Sequence, residues 1–236
     1  MTRYVLVIPA AGIGQRMGSA IPKQYLKIRD KTVLEHTLSG LLAYPCFSQV
    51  IVVLHPQDVY WPSLKLTHPK LRVTYTGGEK RVHSVLSGLL ALQPALEAQD
   101  WVLVHDAVRP CLSCRDLDHL IKTLLDHPVG GLLGVPIHNA LKKVNAQRAI
   151  TATPSDSSDL WQALTPQMFR YGLLRQALQA VINDHIEVRD EASALEYLGA
   201  FLPAFPQMVV GSADNIKVTM PEDLVRVETY LSRLAE

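Results

Sequence analysis

The residues with the clearest chemical potential lie between Pro9 and Gln24. The run Ala10-Ala11-Gly12-Ile13-Gly14-Gln15-Arg16-Met17-Gly18 is followed by Pro22-Lys23-Gln24. Small residues let backbone N–H groups come close to a ligand, and Arg16 and Lys23 add positive charge beside them. That combination is a cradle for a polyphosphate, although the same glycines also suit an ordinary turn between a strand and a helix. The spacing narrows the choice. A dinucleotide fingerprint needs a third glycine where Met17 stands, which disfavours a nicotinamide-dependent dehydrogenase. The Gly-Lys-Ser/Thr end of a Walker A loop is absent.

Three later clusters carry comparable chemistry. Thr76-Gly77-Gly78-Glu79-Lys80-Arg81 pairs two glycines, with Ser84 about one turn beyond, where its hydroxyl could meet a base edge; alone, the cluster also reads as a turn and a helix start. His105-Asp106-Ala107-Val108-Arg109-Pro110 places a carboxylate after an apolar run. Mg2+ favours hard oxygen ligands and takes few protein carboxylates beside phosphates, so Asp106 is the candidate metal ligand. A turn-forming aspartate is the plain alternative. Asp214-Asn215-Ile216-Lys217-Val218-Thr219 supplies one more cation. Cys111 and Cys114 have the Cys-x-x-Cys spacing, but Cys46 is the only other cysteine, so the pair has no second half-site for zinc.

The elements that must position these clusters are legible as periodicities. Tyr4–Ile8, Gln49–Leu54, Leu71–Tyr75, Trp101–Val104, Gly131–Ile137 and Met208–Val210 read as buried strands. Val33–Tyr44, Arg81–Leu92, Leu117–Leu125, Leu173–Ile182, a segment opening at Asp190-Glu191 and one opening at Pro221 read as helices. The acids at 190–191 suit a helix N-terminus, and Pro221 suits a first turn. Strands alternating with helices imply an α/β fold, a mostly parallel sheet with helices on both faces. Right-handed crossovers then gather the strand C-termini, and the clusters that follow them, along one edge.

From Pro136 to Asp159 the pattern changes. Two β-like runs, Ala140–Val144 and Ala149–Thr153, flank Asn145-Ala146-Gln147-Arg148 and read as a protruding hairpin. A lone hairpin buries too little to be stable, so it calls for a partner surface. The expected organisation is one catalytic domain, 1–135 and 160–236, with an arm at 136–159.

Composition excludes several classes. With 236 residues and 48% hydrophobic content the chain can build a sizeable core. Its net charge of +1 makes no electrostatic case for nucleic acid. No apolar stretch reaches the roughly 18 residues of a membrane span, no signal peptide is visible, and three cysteines suit a reducing compartment. The expectation is a soluble cytoplasmic protein.

Taken in order, Pro-Ala-Ala-Gly-x-Gly-x-Arg-Met with Pro-Lys-Gln-Tyr, Gly-Gly-x-x-Arg-x-x-Ser-Val, His-Asp-Ala-Val-Arg-Pro and the segment around Lys217 resemble the methylerythritol phosphate cytidylyltransferases of non-mevalonate isoprenoid synthesis, nucleotidyltransferases of the sugar-nucleotide type. The resemblance runs from Val7 to the C-terminal helix. It implies a Rossmann-like fold of the nucleotide-diphospho-sugar transferase type and transfer of CMP from CTP to methylerythritol 4-phosphate with Mg2+. It implies nucleotide contacts at Ala10, Ala11, Gly12, Gly14, Gly78, Glu79, Ser84 and Asp106, and catalytic roles for Arg16, Lys23 and Lys217. Arg109 and Thr165 fall on the acceptor side, and the arm implies a homodimer.

The departures from the family cluster on that acceptor side. Asn139 replaces an acid, Ala140 replaces a threonine, Ser157 stands where an arginine is frequent, and Arg189 stands where a threonine is common. One expectation is that Arg189 binds the acceptor phosphate in place of the cation missing at 157. These changes keep open another polyol phosphate, such as ribitol 5-phosphate, as acceptor. A nucleotide-binding protein without transferase activity is the alternative of a different class.

Overall fold

The structure, a computed structural model, describes residues 2–12, 21–92, 96–153 and 159–233. Each apolar run becomes a strand: β1 (Tyr4–Pro9), then, after two short strands β2 (Lys27–Ile28) and β3 (Lys31–Thr32) that pair as a small hairpin, β4 (Phe47–Val53), β5 (Leu71–Thr74), β6 (Trp101–Val104) and β7 (Gly130–Pro136). Side chains alternate across the pleat. Leu6 and Ile8 of β1 therefore join one core layer, while Val5 and Val7 join the other. The first layer is closed by α1 (Val33–Ala43) and α4 (Cys114–Leu124). The second is closed by α3 (Arg81–Ala91), α5 (Tyr171–Asn183) and α6 (Glu191–Leu198), a short α2 (Trp61–Leu64) having preceded β5. Burying a Leu, Ile or Val side chain contributes roughly 1.5–3 kcal/mol, so the two layers hold the sheet from both faces.

One strand of the main sheet is not among those expected from the periodicities: β10 (Trp161–Arg170), antiparallel and central. With β11 (Gln207–Val210) the strand order is β11-β7-β10-β6-β1-β4-β5, parallel apart from β10. The polar residues Gln162, Thr165 and Gln167 and the break at Pro166 hide its alternation, and the register with β7 shifts between Ala163 and Gln167. The bulge turns Thr165 and Gln167 inward, where both are buried.

The arm exists as a two-stranded hairpin, β8 (Lys143–Val144) and β9 (Ile150–Ala152), separate from the main sheet. Its turn is set by Asn145, whose side-chain oxygen accepts from the backbone N–H groups of Gln147 and Ala149. Every residue from 142 to 153 is exposed. The last helix, α7 (Pro221–Arg233), packs Val227 with Val33, Val108 and Val218, which anchors the segment carrying Lys217.

Gly130 begins β7 at φ +122°, and a Cβ there would stand 2.1 Å from the Met168 carbonyl oxygen. Gly130→Ala is expected to cost about 2–4 kcal/mol from strain and overpacking. A chemical denaturation curve with an unchanged midpoint would contradict this account of the β7–β10 junction.

Candidate functional site

The chain runs from β1 to β4 and β5 on one side and then crosses to β6 on the other. The order thus reverses at β1, which opens a crevice beyond the ends of β1 and β6. One cavity occupies it. It is lined by Ala10, Ala11, Gly12, Lys23, Gln24, Gly78, Glu79, Lys80, Arg81, Ser84, Asp106 and Lys217, among others. Nine residues expected from sequence are therefore brought together: Ala10, Ala11, Gly12, Lys23, Gly78, Glu79, Ser84, Asp106 and Lys217. Gly14 and Arg16 lie outside the described residues, as does Ser157.

The loop after β1 is held from below. Gln24, buried in a 3₁₀ turn (Lys23–Tyr25), donates through Nε2 to the carbonyls of Ala10 (2.8 Å) and Gly12 (3.0 Å). Tyr25 fixes the same turn by donating to Asp58. Lys23 donates to the Val218 carbonyl, which brings the first cluster against the last. Gly77 is required by close approach: a Cβ there would lie 2.3 Å from that of Ala11. A Cβ at Gly12, by contrast, would meet no atom of the described residues within 4 Å. Ser84 Oγ accepts from the Gly78 N–H at 3.1 Å, so its expected role toward a base is preceded by a role in shaping the loop that lines the cavity.

Asp106 is the electrostatic centre. Its Oδ2 lies 2.9 Å from Lys217 Nζ and 3.2 Å from Arg109 Nε, and its Oδ1 lies 3.3 Å from Arg81 Nη2. Burial pushes the carboxyl pKa up, but the charges of Arg81, Lys217 and Arg109 override that and hold it well below the usual carboxylate range. Beneath Asp106, His105 is fully buried. A carbonyl can only accept, so His105 Nε2 carries the proton donated to Arg109 O, and in the neutral ring Nδ1 accepts from the Thr165 hydroxyl. Burial pushes this imidazole down to about 4, which keeps it neutral near pH 7. The Asp106 N–H then donates to Thr165 Oγ1.

Arg109 and Thr165 occupy different ground from the residues lining the cavity. Both are buried; Arg109 donates to Asp106 and to the Asn215 carbonyl, and Thr165 is engaged by His105 and Asp106. Arg189 is exposed and does not line the main cavity; it sits behind it, beside Val82, Leu178, Val188 and Arg81, the last of which lines both. Asp190 caps α6 by accepting from Ser193 N, in keeping with an acid at a helix N-terminus. Cys111 is buried and Cys114 exposed, and both are free thiols.

Sequence reasoning passed over Gln24, Arg81, Glu191 and Asn215. Arg81 bridges Asp106 to Glu191, and Asn215 Nδ2 donates to the Thr165 carbonyl. Arg81 and Asn215 lay inside quoted motifs, so their types were visible; their partners, 110 and 50 residues away, were not.

Among the described residues no group of three or more His, Cys, Asp or Glu side chains could hold a metal. Asp106 presents one carboxylate to the cavity, already neutralised by its three cations. A divalent cation carried in by phosphates needs only one or two protein carboxylates.

The 2-C-methyl-D-erythritol 4-phosphate cytidylyltransferase family model matches residues 4–233. A protein of that name from Vibrio vulnificus is 46% identical over 234 residues, covering 99% of this chain and 96% of the relative. Its namesake from Buchnera aphidicola is 45% identical over 229 residues, covering 97% and 93%. Two solved structures superpose over nearly the whole chain. A 4-diphosphocytidyl-2C-methyl-D-erythritol synthase has a TM-score of 0.84 at 36% identity, covering 98% and 99%, and the Francisella tularensis cytidylyltransferase has 0.84 at 33%, covering 97% and 100%.

Asp106→Ala would leave Arg81, Arg109 and Lys217 with an uncompensated charge excess. The expected loss is about 3–5 kcal/mol of folding stability. Because the folded-state pKa of Asp106 is depressed, its contribution is present above the ordinary carboxylate range and is lost as pH falls below it. Urea unfolding of wild type and variant at pH 7 and pH 3.5 checks both: the stability gap should narrow at the lower pH, and a gap independent of pH would exclude this electrostatic role.

Proposed function

This chain belongs to the 2-C-methyl-D-erythritol 4-phosphate cytidylyltransferase family, and on that premise we propose that the cavity at the β1–β6 crevice is the CTP site of its transfer reaction. The enzyme transfers CMP from CTP to 2-C-methyl-D-erythritol 4-phosphate, giving 4-diphosphocytidyl-2-C-methyl-D-erythritol and pyrophosphate. The observation that carries the site assignment is the convergence of Ala10–Gly12, Lys23, Gly78, Glu79, Ser84, Asp106 and Lys217 from five separate stretches of chain on one cavity.

A phosphate oxygen of the acceptor attacks the α-phosphorus of CTP in line and pyrophosphate leaves. A phosphomonoester dianion is already nucleophilic at neutral pH, so the protein's work is positioning and charge neutralisation. Backbone groups of Ala10–Gly12 and Lys23 hold the triphosphate, with Arg16 and Gly14 assigned to the same loop by family resemblance. Gly78, Glu79 and Ser84 line the side that receives the cytosine. Lys217, side chain 39% exposed, turns from Asp106 toward phosphate when the nucleotide enters. Asp106 is the carboxylate that would hold Mg2+ beside the phosphates; when bound, the ion neutralises charge on the phosphate oxygens. Arg109 and Thr165 support the acceptor side from beneath Asp106, and Arg189 reaches the acceptor phosphate only from outside the cavity.

We assign the arm, residues 136–159, to a homodimer interface. The support is physical: an isolated hairpin that leaves Val144 and Ile150 50% and 65% exposed is marginal without a partner. Three free thiols and the absence, among the described residues, of a helix long and apolar enough to cross a membrane fit a cytoplasmic location.

Pyrophosphate release from purified protein with Mg2+ and CTP tests the reading. Methylerythritol 4-phosphate should support release and ribitol 5-phosphate should not; the reverse would mean that Asn139, Ala140 and Arg189 mark a changed acceptor. Lys23→Ala should lower kcat by about 10²–10³ with a much smaller change in KM for CTP, and near-normal turnover would remove Lys23 from the mechanism. Ile150→Glu should convert a dimer to a monomer in sedimentation velocity. A wild-type monomer, or a dimer that survives the substitution, would locate the interface elsewhere or abolish it.

A further inference from the structure

Glu191 is a buried charge that the reaction as described leaves idle. It follows the capping residue Asp190, but it does not cap. Its side chain is 1% exposed, and Oε1 accepts from Arg81 Nη1. Its second oxygen, Oε2, is buried with no hydrogen-bond partner among the described residues. Burying a carboxylate that is half satisfied costs stability, so a purely structural link between α3 and α6 would be better served by an apolar pair. Burial pushes the Glu191 pKa up, and Arg81 pulls it back.

Arg81 reaches the other way as well. Its Nε and Nη2 both lie 3.3 Å from Asp106 Oδ1. The signs therefore alternate from the core outward: Glu191 negative, Arg81 positive, Asp106 negative, then Lys217 and Arg109 positive. Arg81 lines the cavity, whereas Glu191 lies behind it and does not. At these separations the attractions are strong enough to set side-chain positions.

We propose that Glu191 is a positioning residue for the transfer reaction, acting on the CTP site through Arg81. By holding the guanidinium from behind it limits the pull of Arg81 on Asp106, so that Asp106 Oδ2 stays shared between Arg109 and the partly exposed Lys217. It also removes one unit of positive charge from the wall facing the phosphates. Without it the cavity grips anions harder, including the pyrophosphate that must leave, and turnover falls while ground-state binding does not weaken. The inference rests on the reading of this cavity as the CTP site.

Glu191→Gln tests it, because the amide keeps the shape and can still accept from Arg81. Steady-state pyrophosphate release with CTP and methylerythritol 4-phosphate should show kcat lower by about tenfold to a hundredfold, no rise in KM for CTP, and a pyrophosphate inhibition constant several-fold lower. In an Arg81→Met background the same substitution should change kcat by less than about twofold, since its intermediary is gone. If Arg81→Met does not fold, Arg81→Lys provides the background, because an ammonium cannot fork between two carboxylates. An unchanged kcat in Glu191→Gln, an equal loss in both backgrounds, or a rise in KM that tracks lost thermal stability would each overturn the proposal. An inactive wild type would instead overturn the CTP reading on which it rests; an active wild type with an insensitive Glu191→Gln would overturn this inference alone.

Discussion

A single carboxylate among three cations is the constraint on which this site depends. Asp106 cannot sit at the end of β6, 8% exposed, unless something holds its charge; Arg81, Arg109 and Lys217 do so from three different parts of the chain. The converse also holds. Three cations gathered at one cavity would repel one another and fray the loops that carry them, were there no central anion. The cluster leaves net positive charge, which is what a polyphosphate requires, while each member keeps a partner in the free protein. The near-neutral chain as a whole, with a net charge of +1, thus conceals a strongly polarised centre.

The sheet explains why this centre lies where it does. Strand order reverses at β1, so the segments after β1, β5 and β6 open onto one crevice with no helix between them. β10 contributes from below. Running antiparallel beside β6, it brings Thr165 under the Asp106 backbone and, through Gln167, binds Asp190 and Ala192 at the start of α6. Glu191 is positioned in consequence. Helix α7 completes the frame by packing Val227 against Val108 and Val218, on either side of which Asp106 and Lys217 face each other. The segments carrying Asp106 and Lys217 are therefore tied together by apolar contacts beside the polar cluster.

Much of this was legible in the sequence, and the part that was not has a physical reason. Runs such as Gln49–Leu54 and Trp101–Val104 declare themselves because both sheet faces are buried and nearly every residue must be apolar. The glycine clusters were legible because close approach excludes a Cβ, as Gly77 against Ala11 shows. β10 was hidden because Thr165 and Gln167 serve partners in other elements and so break the alternation that a strand advertises. Arg81 and Glu191 were hidden more deeply. Their types are ordinary at helix starts, and only the folded chain sets them side by side across 110 residues. Glu191 satisfied a local rule for acids at a helix N-terminus, and a satisfied local rule gave no cause to look further.

The two halves of the reaction rest on different kinds of structure. The side assigned to the nucleotide uses strand ends, backbone groups and buried side chains; a change at Gln24, Gly77 or Asp106 disturbs packing as well as binding. The side assigned to the acceptor shares the buried Arg109 and Thr165 with that frame, but it also draws on the root of an exposed hairpin, at Asn139 and Ala140, and on the exposed Arg189. Substitutions at such positions usually alter stability by about 0.5 kcal/mol or less. The departures from the family pattern fall on that second side. The fold can absorb changes at these exposed positions without loss of the central cluster around Asp106.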